Sequence, residues 1–213
     1  MVGLILAFGL SLAVGRYEAR RATVVDEANA LGTTYLRAQT LEEPMRTASL
    51  DRLRHYTDTT LRVAHAVPKS DAQKRAIDDG EQLQRELWSL AGQSLDRAPQ
   101  DSAPRLYVET LNETIDLQDV RVAGLSNRVP GAVLLLEVIG AAAALGLLSV
   151  YLSIVGRGVL TVVLAAALVS MILLVTFDLD RPTRGLIEVP STPLDDVRAS
   201  MNEPPAAAAP SDP

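Results

Sequence analysis

The sequence predicts an all-α membrane protein: transmembrane helices joined to a long-helix cytoplasmic domain. Three observations carry this. Residues 130–156 hold a single charge, Glu137, and residues 159–177 hold none. Residues 16–129 hold 16 of the 20 Lys+Arg and 18 of the 26 Asp+Glu. No stretch shows the apolar–polar alternation of a half-buried strand. A single water-soluble globule mixes its charges along the chain. This segregation belongs to a chain with two solvents.

Residues 1–15 are apolar throughout. At about 1.5 Å per residue they cover about 22 Å, short of the roughly 30 Å of a hydrocarbon core. They lack a basic leading stretch and run into Arg16-Tyr17-Glu18-Ala19-Arg20-Arg21, which is no small-residue cleavage site. The segment is therefore expected to be a transmembrane span, short either because the true start lies upstream or because this is a shortened member.

Residues 16–129 read as four helices. The first continues from the membrane through Ala38. The second opens at Pro44 and fades before Pro68, with Leu50, Leu53, Leu61 and Ala64 on its apolar face. Ser70-Asp71-Ala72-Gln73 has the form of a capping box and opens a third helix toward Leu95. Its expected core stripe is Ile77, Gln84, Trp88, Ala91 and Leu95. Pro99 to Pro104 breaks it. The fourth helix carries Val108, Leu111, Ile115, Gln118, Val122 and Leu125 at alternating three- and four-residue spacing.

Residues 130–156 then form a transmembrane helix opening at Pro130, a residue suited to a first helical turn. Gly140, Ala144 and Ala142, Gly146 sit at four-residue spacing, which lets helix backbones approach closely in lipid. Residues 157–158 are an external loop, and residues 159–177 a second helix that completes a tight hairpin. Residues 178–213 are a cytoplasmic tail, Pro- and Ala-rich beyond Pro190 and expected to be disordered from about Asn202.

Orientation follows from the arginines. Arg16, Arg20, Arg21, Arg121, Arg128, Arg181 and Arg184 flank one side, and Arg157 stands alone on the other. That asymmetry places the charged domain and the tail in the cytoplasm. Arginine outnumbers lysine 18 to 2, the bias of a GC-rich bacterial genome, so the expected membrane is the bacterial inner membrane.

Composition removes several functions. With no cysteine there is no disulfide framework, thiolate nucleophile or Cys-based zinc site. Residues 16–129 carry a net charge of 16 − 18 = −2, so no nucleic-acid partner is indicated. His55 and His65 stand ten apart, off one-turn spacing. No Gly-x-Ser-x-Gly elbow or phosphate-cradling loop occurs, and no cofactor or enzymatic activity is expected.

Three features stand out from this background. Glu137 is an acid inside a span, costly and often functional there; the plain alternative is that it reaches the interface or pairs with Arg128. Asn29, Thr33 and Arg37 make a polar stripe at four-residue steps, with Asp26 and Glu27 nearby; a solvated face is its default reading. Asp178 and Asp180 sit at a helix carboxyl end, where acids oppose the macrodipole. Pairing with Arg181 or Arg184 is the plain reason, and a cation site the sharper one, although two carboxylates are few for a hard cation.

Arg16-Tyr17-Glu18-Ala19-Arg20-Arg21, the run Asp26-Glu27-Ala28-Asn29-Ala30-Leu31-Gly32-Thr33-Thr34-Tyr35-Leu36-Arg37-Ala38, Glu43-Pro44 before Arg46, and Asp178-Leu179-Asp180-Arg181-Pro182 before Gly185-Leu186-Ile187 resemble the bestrophin-like four-transmembrane domain family. The resemblance covers most of residues 1–200. It implies a bestrophin-like helical fold with lipid around it. The distant likeness to bestrophins, which are pentameric ion channels, implies a homo-oligomer and inorganic ions as the permeating species. Carried further, it places an apolar pore neck on Leu4 and Phe8, one turn apart; packing against lipid or neighbouring helices is the alternative. The family has two spans before the charged domain and two after, so this chain would begin inside the second. An ion channel is the first function implied. A non-conducting membrane scaffold that binds a partner through its cytoplasmic helices is the second.

Overall fold

The structure is a computed structural model describing residues 2–156, 158–181 and 185–206. The described residues form helices α1 (Val2–Ala38), α2 (Met45–His65), α3 (Asp71–Arg97), α4 (Ser102–Ser126), α5 (Gly131–Ile154), α6 (Val159–Leu179) and α7 (Thr192–Ser200), with no strand among them. They divide into two units. One holds residues 1–20 and 126–189, the other residues 21–125 and 190–213. Arg157, Pro182, Arg184 and residues 207–213 lie outside the described residues. The expectations placed on Arg157 and Arg184, and most of the expected disordered tail, fall there.

The first unit contains the start of α1, together with α5 and α6. Pro130 is the N-cap of α5 and accepts from the Val133 and Leu134 amides. α5 and α6 form the expected hairpin. Its turn holds Gly156 and Gly158 at φ of +71° and +134°, conformations that L side chains rarely adopt. Both helices are long and apolar enough to cross a membrane. Their side chains are mostly exposed: Glu137, Ala141, Thr176 and Leu179 are the buried ones. Apolar surface of that extent facing outward needs lipid or other protein to cover it.

α1 runs antiparallel to α5. The Arg16 guanidinium donates to Asn127, before α5 begins, whereas Gly9 lies against Glu137. The buried face of this part of α1 is Leu6, Gly9 and Ala13.

The second unit packs the rest of α1 with α2, α3, α4 and α7. Ser70 caps α3 as expected: its Oγ accepts from the Gln73 amide at 3.1 Å. The Gln73 side chain closes the box onto the Lys69 amide at 2.8 Å, one residue earlier than the pattern requires. Leu50 and Leu53 of α2 are buried as expected, and Leu61 and Ala64 half-buried.

On α3 the buried line is Gln73, Ala76, Gly80, Leu87, Ala91 and Ser94. This corrects the expected stripe: Ala91 belongs to it, but Trp88 is 46% exposed and Ile77, Gln84 and Leu95 are only half-buried. Small residues let α3 approach its neighbours, and the bulky indole stays at the rim. On α4 the buried line is Tyr107, Leu111, Thr114, Gln118 and Arg121, with Thr110. The expected Val108, Ile115, Val122 and Leu125 are half-buried, so the core of α4 is more polar than its apolar pattern suggests.

α7 is an element the sequence reading passed over. Pro193 lies in its first turn, and Leu194 and Met201 are fully buried. Arg198 holds Asp58 of α2 through two bonds of 2.5 and 3.2 Å. Tyr35 and Arg54 both donate to the Met201 carbonyl, at 3.0 and 3.1 Å.

Candidate functional site: the first part of helix α1 and the buried polar groups

In the first unit, α1 presents two different faces. Leu6, Gly9 and Ala13 are buried, and Gly9 faces the Glu137 carboxylate so closely that a Cβ there would land on it. Leu4 and Phe8 lie on the open side, 76% and 61% exposed, and Ser11 and Gly15 continue that side. Both expected neck residues therefore share one unpartnered apolar face.

Glu137 does not reach the helix end, and no bond to Arg128 is seen. Its side chain is 1% exposed, and neither carboxylate oxygen has a hydrogen-bond partner. Thr176 is the other buried polar side chain of the hairpin, and its hydroxyl donates to its own helix at Ile172 O, 2.9 Å away.

Asp178 and Asp180 point to separate tasks. The Asp178 carboxylate accepts from the Leu186 and Ile187 amides, each at 2.9 Å. Asp180 is buried and accepts from the Val129 amide at 2.6 Å. Two acids at a helix carboxyl end are thus explained by the backbone donors they satisfy. That geometry gives each acid a structural task of its own.

Arg20 ties the same region together. It donates to Leu179 O at 2.5 Å and to Asn127 O at 3.5 Å. Burial pushes its guanidinium below its ordinary value. Asp180 opposes that shift, and repulsion from Arg16 and Arg128 adds to it.

In the second unit, Asn29 and Thr33 of the polar stripe are exposed. Arg37 donates to Leu106 O at 2.7 Å and pairs with Glu109 at 3.6 Å. The last member of the stripe thus clips α1 to the start of α4. The buried polar residues lie beside it. Glu27 pairs with Arg121, and both side chains are within 5% of full burial. Burial pushes the Glu27 carboxyl above the usual carboxylate range, and Arg121 draws it only part-way back. Arg121 also reaches Thr60 O at 3.5 Å.

The Tyr56 hydroxyl donates to Gln118, and Gln84 donates to both, at 3.1 and 3.3 Å. Thr114 donates to Thr110 O at 2.8 Å, leaving Thr34 to donate to the Thr114 oxygen at 2.9 Å. Sequence reasoning noted Glu27 but missed its partner. The available signal was an amide and a charged side chain, Gln118 and Arg121, in helical register with Leu111 and Thr114 on α4.

Comparison with known proteins decides the family. The bestrophin-like domain model matches residues 1–194. The chain belongs to the bestrophin-like family. A crystal structure of a point mutant of a bacterial bestrophin homologue from Klebsiella pneumoniae superposes on this bestrophin-like chain with a TM-score of 0.75. The match covers 94% of this chain and 82% of that one at 14% identity, a likeness of fold. A search of curated proteins gave no match. The bestrophin-like fold and the two outward-facing apolar helices make this a multi-pass membrane protein, as the sequence led one to expect.

Proposed function

We propose that copies of this chain assemble around an axis as an ion channel in the bacterial inner membrane. In this reading the charged unit and the tail face the cytoplasm and Leu4 and Phe8 form the neck. The observation that carries it is the division of labour on α1: one face is closed by Glu137 and α5, and the other leaves a large aliphatic and an aromatic side chain open, one turn apart. A ring of such side chains from several copies makes a narrow apolar constriction, which controls ion passage by excluding water. A pentamer is the stoichiometry suggested by the resemblance to bestrophins.

The test is ion flux through liposomes carrying purified protein. Leu4→Ala with Phe8→Ala should widen and wet the neck and raise flux without loss of assembly. Identical flux before and after would remove the neck assignment. A second reading, a non-conducting scaffold, is favoured by exposed apolar side chains on the charged unit, Trp88 and Val120 among them. Absence of flux from assembled protein in both forms, with any ion, would favour it.

A further inference from the structure

We propose that a groove at the end of α6 binds a zwitterionic phospholipid, with its phosphate on Arg181, its ammonium at Asp178 and an acyl chain along Leu173, Leu174 and Phe177. The groove is open and holds about 470 Å³. Among the described residues it is lined by Ser170, Leu173, Leu174, Phe177, Asp178 and Arg181. From Ser170 to Asp178 these share one face of α6, about 12 Å long at three- and four-residue steps. Arg181 follows just past the helix end.

The face changes character along its length. Leu173, Leu174 and Phe177 belong to the apolar span, whose outward surface needs covering. Asp178 and Arg181 stand at its end, the depth at which headgroups lie. The two do not pair with each other. The Asp178 carboxylate is turned to the Leu186 and Ile187 amides, and the exposed Arg181 guanidinium makes no bond among the described residues. Neutral amides hold a carboxylate in place without cancelling its charge. The last carbonyls of α6 add partial negative charge at the same end. An ammonium is drawn there, whereas the planar fork of Arg181 suits a phosphate. A headgroup carrying both charges satisfies both. The neighbouring charges are spent elsewhere: Asp180 accepts from the Val129 amide, and Arg20 donates to the Leu179 carbonyl.

Other occupants use only part of this arrangement. A free phosphate takes Arg181 and leaves the apolar wall bare. An anionic lipid covers the wall but brings Asp178 no counter-charge. The loop beyond α6 supplies a second observation. Its bonds to Asp178 hold Leu186 at the end of the span with the side chain 86% exposed, an apolar group that the same lipid layer covers. The site stands on α6 and this loop alone, and it does not depend on ion conduction.

The experiment is native mass spectrometry of the full chain in detergent, titrated with phosphatidylethanolamine or phosphatidylglycerol. The expected result is one phosphatidylethanolamine held per chain, at lower concentration than phosphatidylglycerol requires. Arg181→Gln should weaken that binding about tenfold, the equivalent of one charge-assisted hydrogen bond. Asp178→Asn should abolish the preference between the two lipids. Because Asp178→Asn also loosens the loop, a second measurement uses the wild type alone. Phosphatidylethanolamine with a photoreactive acyl chain, carried at low level in phosphatidylglycerol vesicles, should leave adducts concentrated on residues 170–177. Adducts spread evenly along α5 and α6, or Arg181→Gln that binds as the wild type does, overturn the proposal. Phosphatidylglycerol bound as tightly or more tightly overturns it in favour of an anionic lipid. Adducts missing from residues 170–177 of assembled protein overturn it in favour of a second copy covering this face. None of these readouts uses ion flux, so a failed channel assay leaves them intact.

Discussion

Arg121→Met removes the cation that pairs with the buried Glu27 carboxylate and leaves the rest of the core in place. Both side chains are within 5% of full burial, so water cannot replace the lost partner. Breaking a buried pair on one side costs about 3–5 kcal/mol. For a chain of this size about 2–4 °C of melting temperature accompanies each kcal/mol. The expected loss is therefore roughly 6–20 °C, read by circular dichroism of the detergent-solubilised full chain at neutral pH.

Two features separate this from simple loss of packing. Adding Glu27→Gln to Arg121→Met removes the stranded charge and should recover most of the loss. Acidification should also recover it, because the carboxyl then takes up a proton. If the single variant melts within about 2–4 °C of wild type, or the double variant melts lower than the single one, the ion pair is not what stabilises this core.

Glu27 also makes a prediction of its own about pH. Its carboxyl is raised in the folded state, so the protonated form favours folding. That stability is present below the unfolded carboxylate value, about 4.3, and is lost as pH rises through the folded value. Over that rise wild type should lose melting temperature relative to Glu27→Gln, whatever the starting difference between them, and parallel curves would contradict the burial argument. Gly9→Ala should destabilise by about 1–3 kcal/mol through overpacking against Glu137, and Glu137→Ala should relieve it; a thermal shift series on the four combinations checks this. Asp178→Ala removes the acceptor for the Leu186 and Ile187 amides, at about 1.5–3 kcal/mol for each charge-assisted bond. Limited proteolysis should then cut the chain near these residues much faster than in wild type. For topology, cysteines placed at Ser94 and Arg157 should react differently with an impermeant thiol reagent in intact cells. Labelling at 157 but not 94 is expected, and the reverse would invert the orientation.

Much of the architecture was legible because it follows from local chemistry. The spans announce themselves by runs without charge, and the helix breaks by Pro44, Pro68 and the segment from Pro99 to Pro104. Ser70 and Gln73 predicted the start of α3, and the structure places their bonds there, one residue from the expected register. Where reading failed, apolarity was taken for burial. Trp88 and Val122 fit a helical stripe, yet the inner line of α3 is made of small residues and that of α4 of polar ones. In a chain whose apolar surface also faces lipid or another copy, hydrophobicity marks contact without saying with what. α7 was missed for a related reason. Nine residues with three apolar positions give too little periodicity, and the helix is held by partners far away in the chain, Asp58, Tyr35 and Arg54.

The sequence by itself determined the two solvents, the helices and the presence of an acid within a span, because each depends on the composition of one segment. Residue motifs were enough to suggest the family. Only the tertiary structure decided what each polar group meets. It set Glu137 against Gly9 with no partner, drew Asp178 and Asp180 to separate backbone amides, and joined Glu27 to Arg121 across 94 residues of chain. Such pairings depend on the rotation of each helix about its axis. A shift of one residue turns a helix by about 100°, and that rotation is fixed by the simultaneous fit of several helices rather than by any one of them.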